Sequence, residues 1–259
     1  MNDAVSDTAD ADVETRAGDG VLTLAFRRIH RHNALTWAMY DALVAACERA
    51  DADDEIRALV VRGDGGKAFV AGTDISQFAA FTSGRDGVGY EHRVTEILDR
   101  FRAVTVPTVV AVQGYCVGGG MGIACAADLR IATPGSRFGV PIARTLGNCL
   151  SADTLALLVD ALGTPLTRDL MLTGRLLETD EAARVPGFLH RVVDDLDDGL
   201  AELLGRLTAN APLTQWATKE LLRPGVDEEA VVSRVYGSRD FRDAVAAFGA
   251  GHPPSWTGS

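Results

Sequence analysis

From Val21 to Phe26 apolar residues alternate with small polar ones, the two-residue rhythm of a strand with one buried face, and residues 27–33 follow as a polar turn. Leu35, Met39, Leu43 and Cys47 then recur at four-residue spacing, which lines up one face of a helix. Residues 58–61 form a short apolar run ending at Gly63-Asp64-Gly65-Gly66, the pattern of a buried strand and its turn. Further strand signals lie at residues 69–71, Thr108–Val112 and Leu129–Ala132. Strands alternating with helices predict an α/β architecture with mainly parallel pairing, because parallel neighbours need a long crossover between them.

From about Ser151 onward the rhythm changes to helices in succession. Residues 154–162, 167–172, 200–207, 213–222 and 228–235 carry helical spacing, and the loops between them hold Gly163, Pro165, Gly174, Pro186, Gly187, Pro212 and Pro224-Gly225. Ahead of the first strand, residues 1–19 are acidic and alanine-rich, without the basic start and apolar stretch of a signal peptide. They are expected to form a flexible, partly frayed tail. The chain thus divides into that tail, a core over residues 20–195 and a helical region over residues 196–259.

Charge narrows the partners. The 25 basic side chains face 36 acidic ones, a net charge of -11, whereas nucleic-acid binding rests on a positive footprint. An anionic ligand stays open, since a local site lined by N–H groups or cations overrules the global balance. No apolar run approaches the roughly 20 residues that span a bilayer. No nucleic-acid or membrane partner is therefore expected, and the location is expected to be cytoplasmic. Cys47, Cys116, Cys125 and Cys149 show no metal-type pairing and sit mostly in apolar surroundings, as reduced buried thiols do. His30-Arg31-His32, His190 and His252 lack further ligand spacing, so no metal site is indicated.

The chemistry concentrates in two segments, Phe69-Val70-Ala71-Gly72-Thr73-Asp74-Ile75 and Gly114-Tyr115-Cys116-Val117-Gly118-Gly119-Gly120. Each reads as an apolar strand running into a glycine turn and a helix start. Two such turns side by side aim backbone N–H groups at one point, where an oxygen that gains negative charge during a reaction is held. No G-x-G-x-x-G spacing occurs in residues 118–125, and Gly66-Lys67 is followed by Ala68, so neither a dinucleotide fingerprint nor a Walker A loop competes.

In this order and with these neighbours, the pair resembles the enoyl-CoA hydratase/isomerase (crotonase) family from about Val21 to the C-terminus. Asn33-Ala34-Leu35, Leu172-Thr173-Gly174-Arg175 and Ala217-Thr218-Lys219-Glu220 also resemble family segments. The resemblance implies a crotonase-like spiral of ββα repeats, with the C-terminal helical region building trimers that often pair into hexamers. It implies an acyl-CoA ligand, coenzyme A being part of the substrate rather than a cofactor, and lyase or isomerase chemistry as in fatty acid metabolism. The residues matching the two N–H donors are Thr73 and Gly119. Arg28, His30 and Arg31 fall near the nucleotide end of coenzyme A in relatives, either as phosphate partners or as a solvated basic turn. Ala71, Asp74 and Ile75 fall at the CoA-binding turn, with Asp74 acting through its backbone or simply capping the next helix, and Asn33 is expected to cap the first helix.

Two departures matter. Hydratases of the family add water with two glutamates, and at those positions this chain has Gly122 and, in Phe138-Gly139-Val140-Pro141-Ile142, Ile142. Neither exchanges a proton, so ordinary two-glutamate hydration is not expected. The tail Gly249-Ala250-Gly251-His252-Pro253-Pro254 also lacks the lysine or arginine often found there, removing one CoA contact. Substitutes are sought in two walls. After Ile142, Arg144 could bind a second anionic group, and Asn148, Cys149 or Asp153 could face the thioester. The bland alternative makes Ser151 a helix cap, Asp153 a first-turn acid and Cys149 a core residue. On the other wall His92 and Glu96 are four apart on one helix face, as acid/base groups or as a surface pair. Two functions follow: an enzyme that stabilises a thioester enolate, or a non-catalytic acyl-CoA carrier or sensor.

Overall fold

The computed structural model describes residues 5–10, through their backbone, and 12–259. Its strands are β1 (Val5–Asp10), β2 (Val13–Gly18), β3 (Val21–Phe26), β4 (Ala58–Gly63), β5 (Ala68–Ala71), β6 (Thr108–Val112), β7 (Tyr115–Val117), β8 (Leu129–Ala132), β9 (Arg137–Gly139), β10 (Leu177–Glu178) and β11 (Arg191–Val192). The helices are α1 (Trp37–Ala52), α2 (Gly84–Arg102), α3 (Gly119–Ala126), α4 (Ala152–Leu162), α5 (Thr164–Thr173), α6 (Thr179–Ala182), α7 (Leu196–Ala209), α8 (Pro212–Leu221), α9 (Glu228–Tyr236) and α10 (Arg239–Gly249). A seven-stranded sheet in the order β1-β2-β3-β4-β6-β8-β11 faces a four-stranded one in the order β10-β9-β7-β5. From β3 to β11 the large sheet is parallel, as the alternation of strands and helices predicts.

The central strands β4 and β6 carry continuous apolar runs, residues 58–61 and 109–112, because both faces are covered. Leu59 and Val61 of β4, with Val110 and Val112 of β6, enter the main core beside Leu35, Met39 and Leu43 of α1. The intervening Val60, Val109 and Ala111 point the other way, onto Leu196, Leu200 and Leu203 of α7. Period two in the strands and period four-three in α7 therefore meet in one seam.

Residues 5–10 and 13–18 do not remain a tail as expected but form β1 and β2. From Val13 to Gly18 the chain pairs antiparallel with β3 along its whole length. The edge of β3 needs partners for its backbone groups, and β2 supplies them despite its polar composition. Its buried Glu14 is held by Arg16 at 2.7 Å and by Arg27 at 2.9 Å. Residues 1–4 and 11 lie outside those described. At the other end the helical spacing stops at residue 235 in the sequence, yet α10 follows, with Asp240 accepting from Thr257 N at 2.9 Å and Gly258 N at 2.8 Å.

Asn33 is not the cap of α1. That role belongs to Thr36, whose hydroxyl accepts from Met39 N at 3.3 Å. Asn33 sits at φ 55° with no exposed surface, and its amide donates to Asp64 O at 3.0 Å and Ala68 O at 2.9 Å. It thereby ties the turn before α1 to both ends of the loop that enters β5. Two residues on, Leu35 N donates to Gly72 O at 2.8 Å and Asp74 N donates to Leu35 O at 2.9 Å. We expect Asn33→Ala to lower unfolding stability by about 2–3 kcal/mol in urea titrations, because two buried carbonyls lose their donor and alanine resists the positive φ.

Candidate active site

The small sheet builds the site. β5 and β7 run parallel with Ala71 opposite Val117, so the glycine turns that follow them, at Gly72 and at Gly118, emerge side by side. A Cβ on Gly118 would lie 3.1 Å from Gly72 Cα, and Gly118 adopts φ 56°, ψ -120°, which a side chain would not tolerate. Thr73 bridges Leu35 in parallel fashion, with Leu35 making both bonds to Gly72 and Asp74. Thr73's own N–H consequently faces away from Leu35. Gly119 opens α3, where the first N–H groups have no partner within the helix. A Cβ at Gly119 would stand 2.5 Å from the Tyr40 hydroxyl and 3.4 Å from Thr73 Oγ1. Both residues line one inner cavity of about 200 Å³.

Three hydroxyls lock this wall. Thr73 Oγ1 lies 3.1 Å from Tyr40 Oη and 2.6 Å from Tyr90 Oη. Burial pushes both phenols above their ordinary acidity range. The Tyr90 ring packs edge-on against Phe78 at 4.9 Å and lies 5.5 Å from Trp37. Next to Tyr90, Glu91 also lines the cavity, and its Oε2 accepts from Ser151 N at 2.7 Å. Burial raises its pKa, a shift that the hydrogen bond from Ser151 opposes.

An outer cavity of about 740 Å³ adjoins the inner one and is mainly apolar, with Ile75, Phe78, Phe81, Val88, Leu146 and Leu150 among its walls. Ile75, Phe78, Tyr90, Glu91, Leu146, Asn148 and Leu150 line both.

The residues anticipated from sequence are distributed unevenly. Gly122 and Ile142, the positions without glutamates, both line the inner cavity, as does Ala71. A Cβ on Gly122 would press against Leu98 Cδ1 at 3.2 Å, so Leu98 would have to give way to a side chain there. Asn148 faces both cavities, whereas His92, Cys149 and Asp153 border the outer one alone. Ser151 does cap α4, accepting from Thr154 N at 3.0 Å, and Asp153 stands in the first turn. Cys149 is exposed rather than in the core, while Cys47 and Cys116 are buried. Glu96 is exposed and lines neither cavity, so His92 and Glu96 do not act together there. Arg144 is exposed and lies over Gly174, outside both cavities.

At the polar turn, Arg28 is committed inside the protein: it pairs with Asp74 at 2.5 Å and Asp12 at 3.5 Å and donates to Ala34 O at 3.0 Å. Asp74 also caps the short turn that follows, accepting from Ser76 N at 2.9 Å. The hydrogen bonds from Ser76, then the one from Arg28, hold its carboxyl at about 2. His30 and Arg31 are exposed. Among the described residues no cluster of His, Cys, Asp and Glu could hold a metal ion, and no helix is long and apolar enough to cross a membrane.

A protein whose paired glycine turns close over one cavity in this topology has a defined kinship. Residues 16–245 match the family model described as enoyl-CoA hydratase/isomerase, and the chain belongs to that family. It is 28% identical over 207 residues to the short-chain-enoyl-CoA hydratase of Clostridium acetobutylicum, covering 76% of this chain and 78% of that one. It is 24% identical over 254 residues to the mitochondrial methylglutaconyl-CoA hydratase of Mus musculus, covering 92% and 80%. The crystal structure of an enoyl-CoA hydratase/carnithine racemase from Magnetospirillum magneticum superposes with a TM-score of 0.89 at 30% identity, covering 97% of each chain. The fold is therefore the crotonase-like α/β fold that the sequence resembles.

Tyr40, Tyr90 and Glu91 escaped the sequence reading. Glu91, Val94 and Leu98 stand at i, i+3 and i+7 on the face of α2 that lines the inner cavity, a spacing that was present in the sequence, whereas attention fell on the exposed pair at i+1 and i+5. Thr73→Val removes the hydroxyl shared by the two phenols, and we expect a loss of about 1–3 kcal/mol in denaturant titrations from the enclosed Tyr40. The raised pKa of Glu91 carries a second expectation. Its contribution to stability is complete below the unfolded-state pKa, roughly 4.3, and is lost as pH rises through the higher folded value. Glu91→Gln should thus gain stability relative to the wild type as pH rises from 4 to 8, read as a growing difference in urea midpoint.

Proposed function

We propose that this protein binds an acyl-CoA thioester with its carbonyl oxygen between Thr73 N and Gly119 N and stabilises the enolate formed there. The observation that carries the reading is the side-by-side emergence of the two glycine turns onto one cavity. A thioester oxygen gains charge when the α-carbon is deprotonated, and two fixed N–H groups lower that barrier, each by about 3–4 kcal/mol. The adjoining apolar cavity takes the acyl group. With Arg28 tied to Asp74, the exposed His30 and Arg31 are left to meet the phosphates of coenzyme A. Because Gly122 and Ile142 offer no ionisable group, the reaction is enolate chemistry other than two-glutamate hydration. Self-association as a trimer or hexamer accompanies it, supported by the exposed Phe241, Val245 and Phe248 along one stripe of α10.

The test is a panel of saturated, enoyl- and oxoacyl-CoAs incubated with the purified protein. We expect saturable binding with turnover of at least one ester, and Gly119→Pro, which removes an N–H and distorts the turn, should abolish turnover; unchanged turnover in a folded variant would show the site to be wrongly assigned. Saturable binding without turnover of any ester would identify a carrier or sensor. Absence of binding at millimolar concentration would end both readings.

A further inference from the structure

The inner cavity has one carboxylate and nothing else that ionises near neutrality. Of the residues lining it, only Glu91, Tyr40 and Tyr90 are titratable. Both phenols are already bound to Thr73 Oγ1, at 3.1 Å and 2.6 Å, and their raised pKa values keep them protonated. Glu91 is bonded through one oxygen, Oε2, to Ser151 N. Among the described residues no side chain bonds its other oxygen, and no Lys, Arg or His pairs with it. A half-buried carboxylate without a counter-cation is a costly arrangement for a purely structural residue, since burial penalises its charge.

Its position is also fixed on both sides. Ser151, which grips Glu91 through its amide, caps α4 with its hydroxyl and lies 2.9 Å from Thr95 Oγ1 of α2. Glu91 follows directly after Tyr90, whose hydroxyl touches Thr73. Glu91, Thr73 and Gly119 thus line one cavity, with the carboxylate held by an α2–α4 clasp.

We propose that Glu91 is the catalytic group that moves the proton at the acyl α-carbon. This rests on the enolate reading above. The carboxylate takes the α-proton, the C–H electron pair becomes the enolate C=C bond, and the thioester oxygen carries the charge between Thr73 N and Gly119 N. The resulting carboxylic acid returns a proton to carbon, so that the carboxylate is restored and no co-reactant is consumed. A carboxyl whose acidity is displaced toward neutrality is suited to both directions.

Exchange in D₂O tests this without knowledge of the physiological ester. Phenylacetyl-CoA and octanoyl-CoA serve as probes, with deuterium at the α-carbon read by mass spectrometry and binding read by calorimetry. The wild type is expected to bind and exchange. Glu91→Gln, which keeps the acceptor for Ser151 N, should bind within about twofold and exchange at least 10²-fold more slowly, the scale on which positioned proton transfer contributes. Glu91→Asp, retaining the charge with one methylene fewer, should exchange at an intermediate rate. Glu96→Gln, exposed on the same helix and outside both cavities, should match the wild type. Binding and exchange at the wild-type rate in Glu91→Gln, or in Glu91→Asp if the former does not fold, would overturn the role of Glu91 and leave the CoA reading standing. Wild-type binding without exchange would do the same. Failure of both esters to bind would instead overturn the CoA reading on which this role rests.

Discussion

The parallel register of β5 and β7 governs everything around the cavity. Because Ala71 lies opposite Val117, the chain leaves the small sheet twice at the same level, and each exit is a glycine turn. A slip of one residue would separate the turns and reverse every side chain of one strand. The register is secured from outside the sheet as well. Asn33 clamps the loop entering β5, Leu35 bonds both neighbours of Thr73, and Gly118 N donates to Gly139 O at 2.9 Å. Backbone geometry at the two glycine turns is thus over-determined.

Around this backbone the inner cavity holds few ionisable side chains. Gly122 and Ile142 line the cavity, and Leu98 lies beside Gly122. The cavity wall carries no ionisable group at those two points, while a carboxylate lines it from α2 at Glu91. A pocket can keep its carbonyl site and change its proton-handling group because the former is main chain and the latter is side chain.

The legibility of the sequence followed the same division. Strand and helix positions over β3, α1, β4, β6 and β8 could be read because each has a clear apolar period, and the glycine turns could be read because backbone demands restrict residue choice there. Asn33 was misassigned because capping and loop-clamping ask for the same residue type, and only the tertiary contacts to Asp64 and Ala68 distinguish them. β2 was missed because its polar residues are satisfied by ion pairs, which leave no period. Arg28 and Arg144 are both anion-binding candidates by sequence, yet one pairs with Asp12 and Asp74 and the other lies outside both cavities. Which acid faces a pocket is a question of helix rotation, and on α2 a shift of one position separates Glu91 from His92.

The hydroxyl trio has a direction. Tyr40 is 1% exposed, and its neighbour Thr73 Oγ1 offers the acceptor its hydrogen needs. Thr73 Oγ1 carries one hydrogen, so it accepts from one phenol and donates to the other. In the outward order Tyr40 donates to Thr73 and Thr73 to Tyr90. It leaves the last hydrogen of the relay on the one phenol that borders both chambers, available to whatever occupies them.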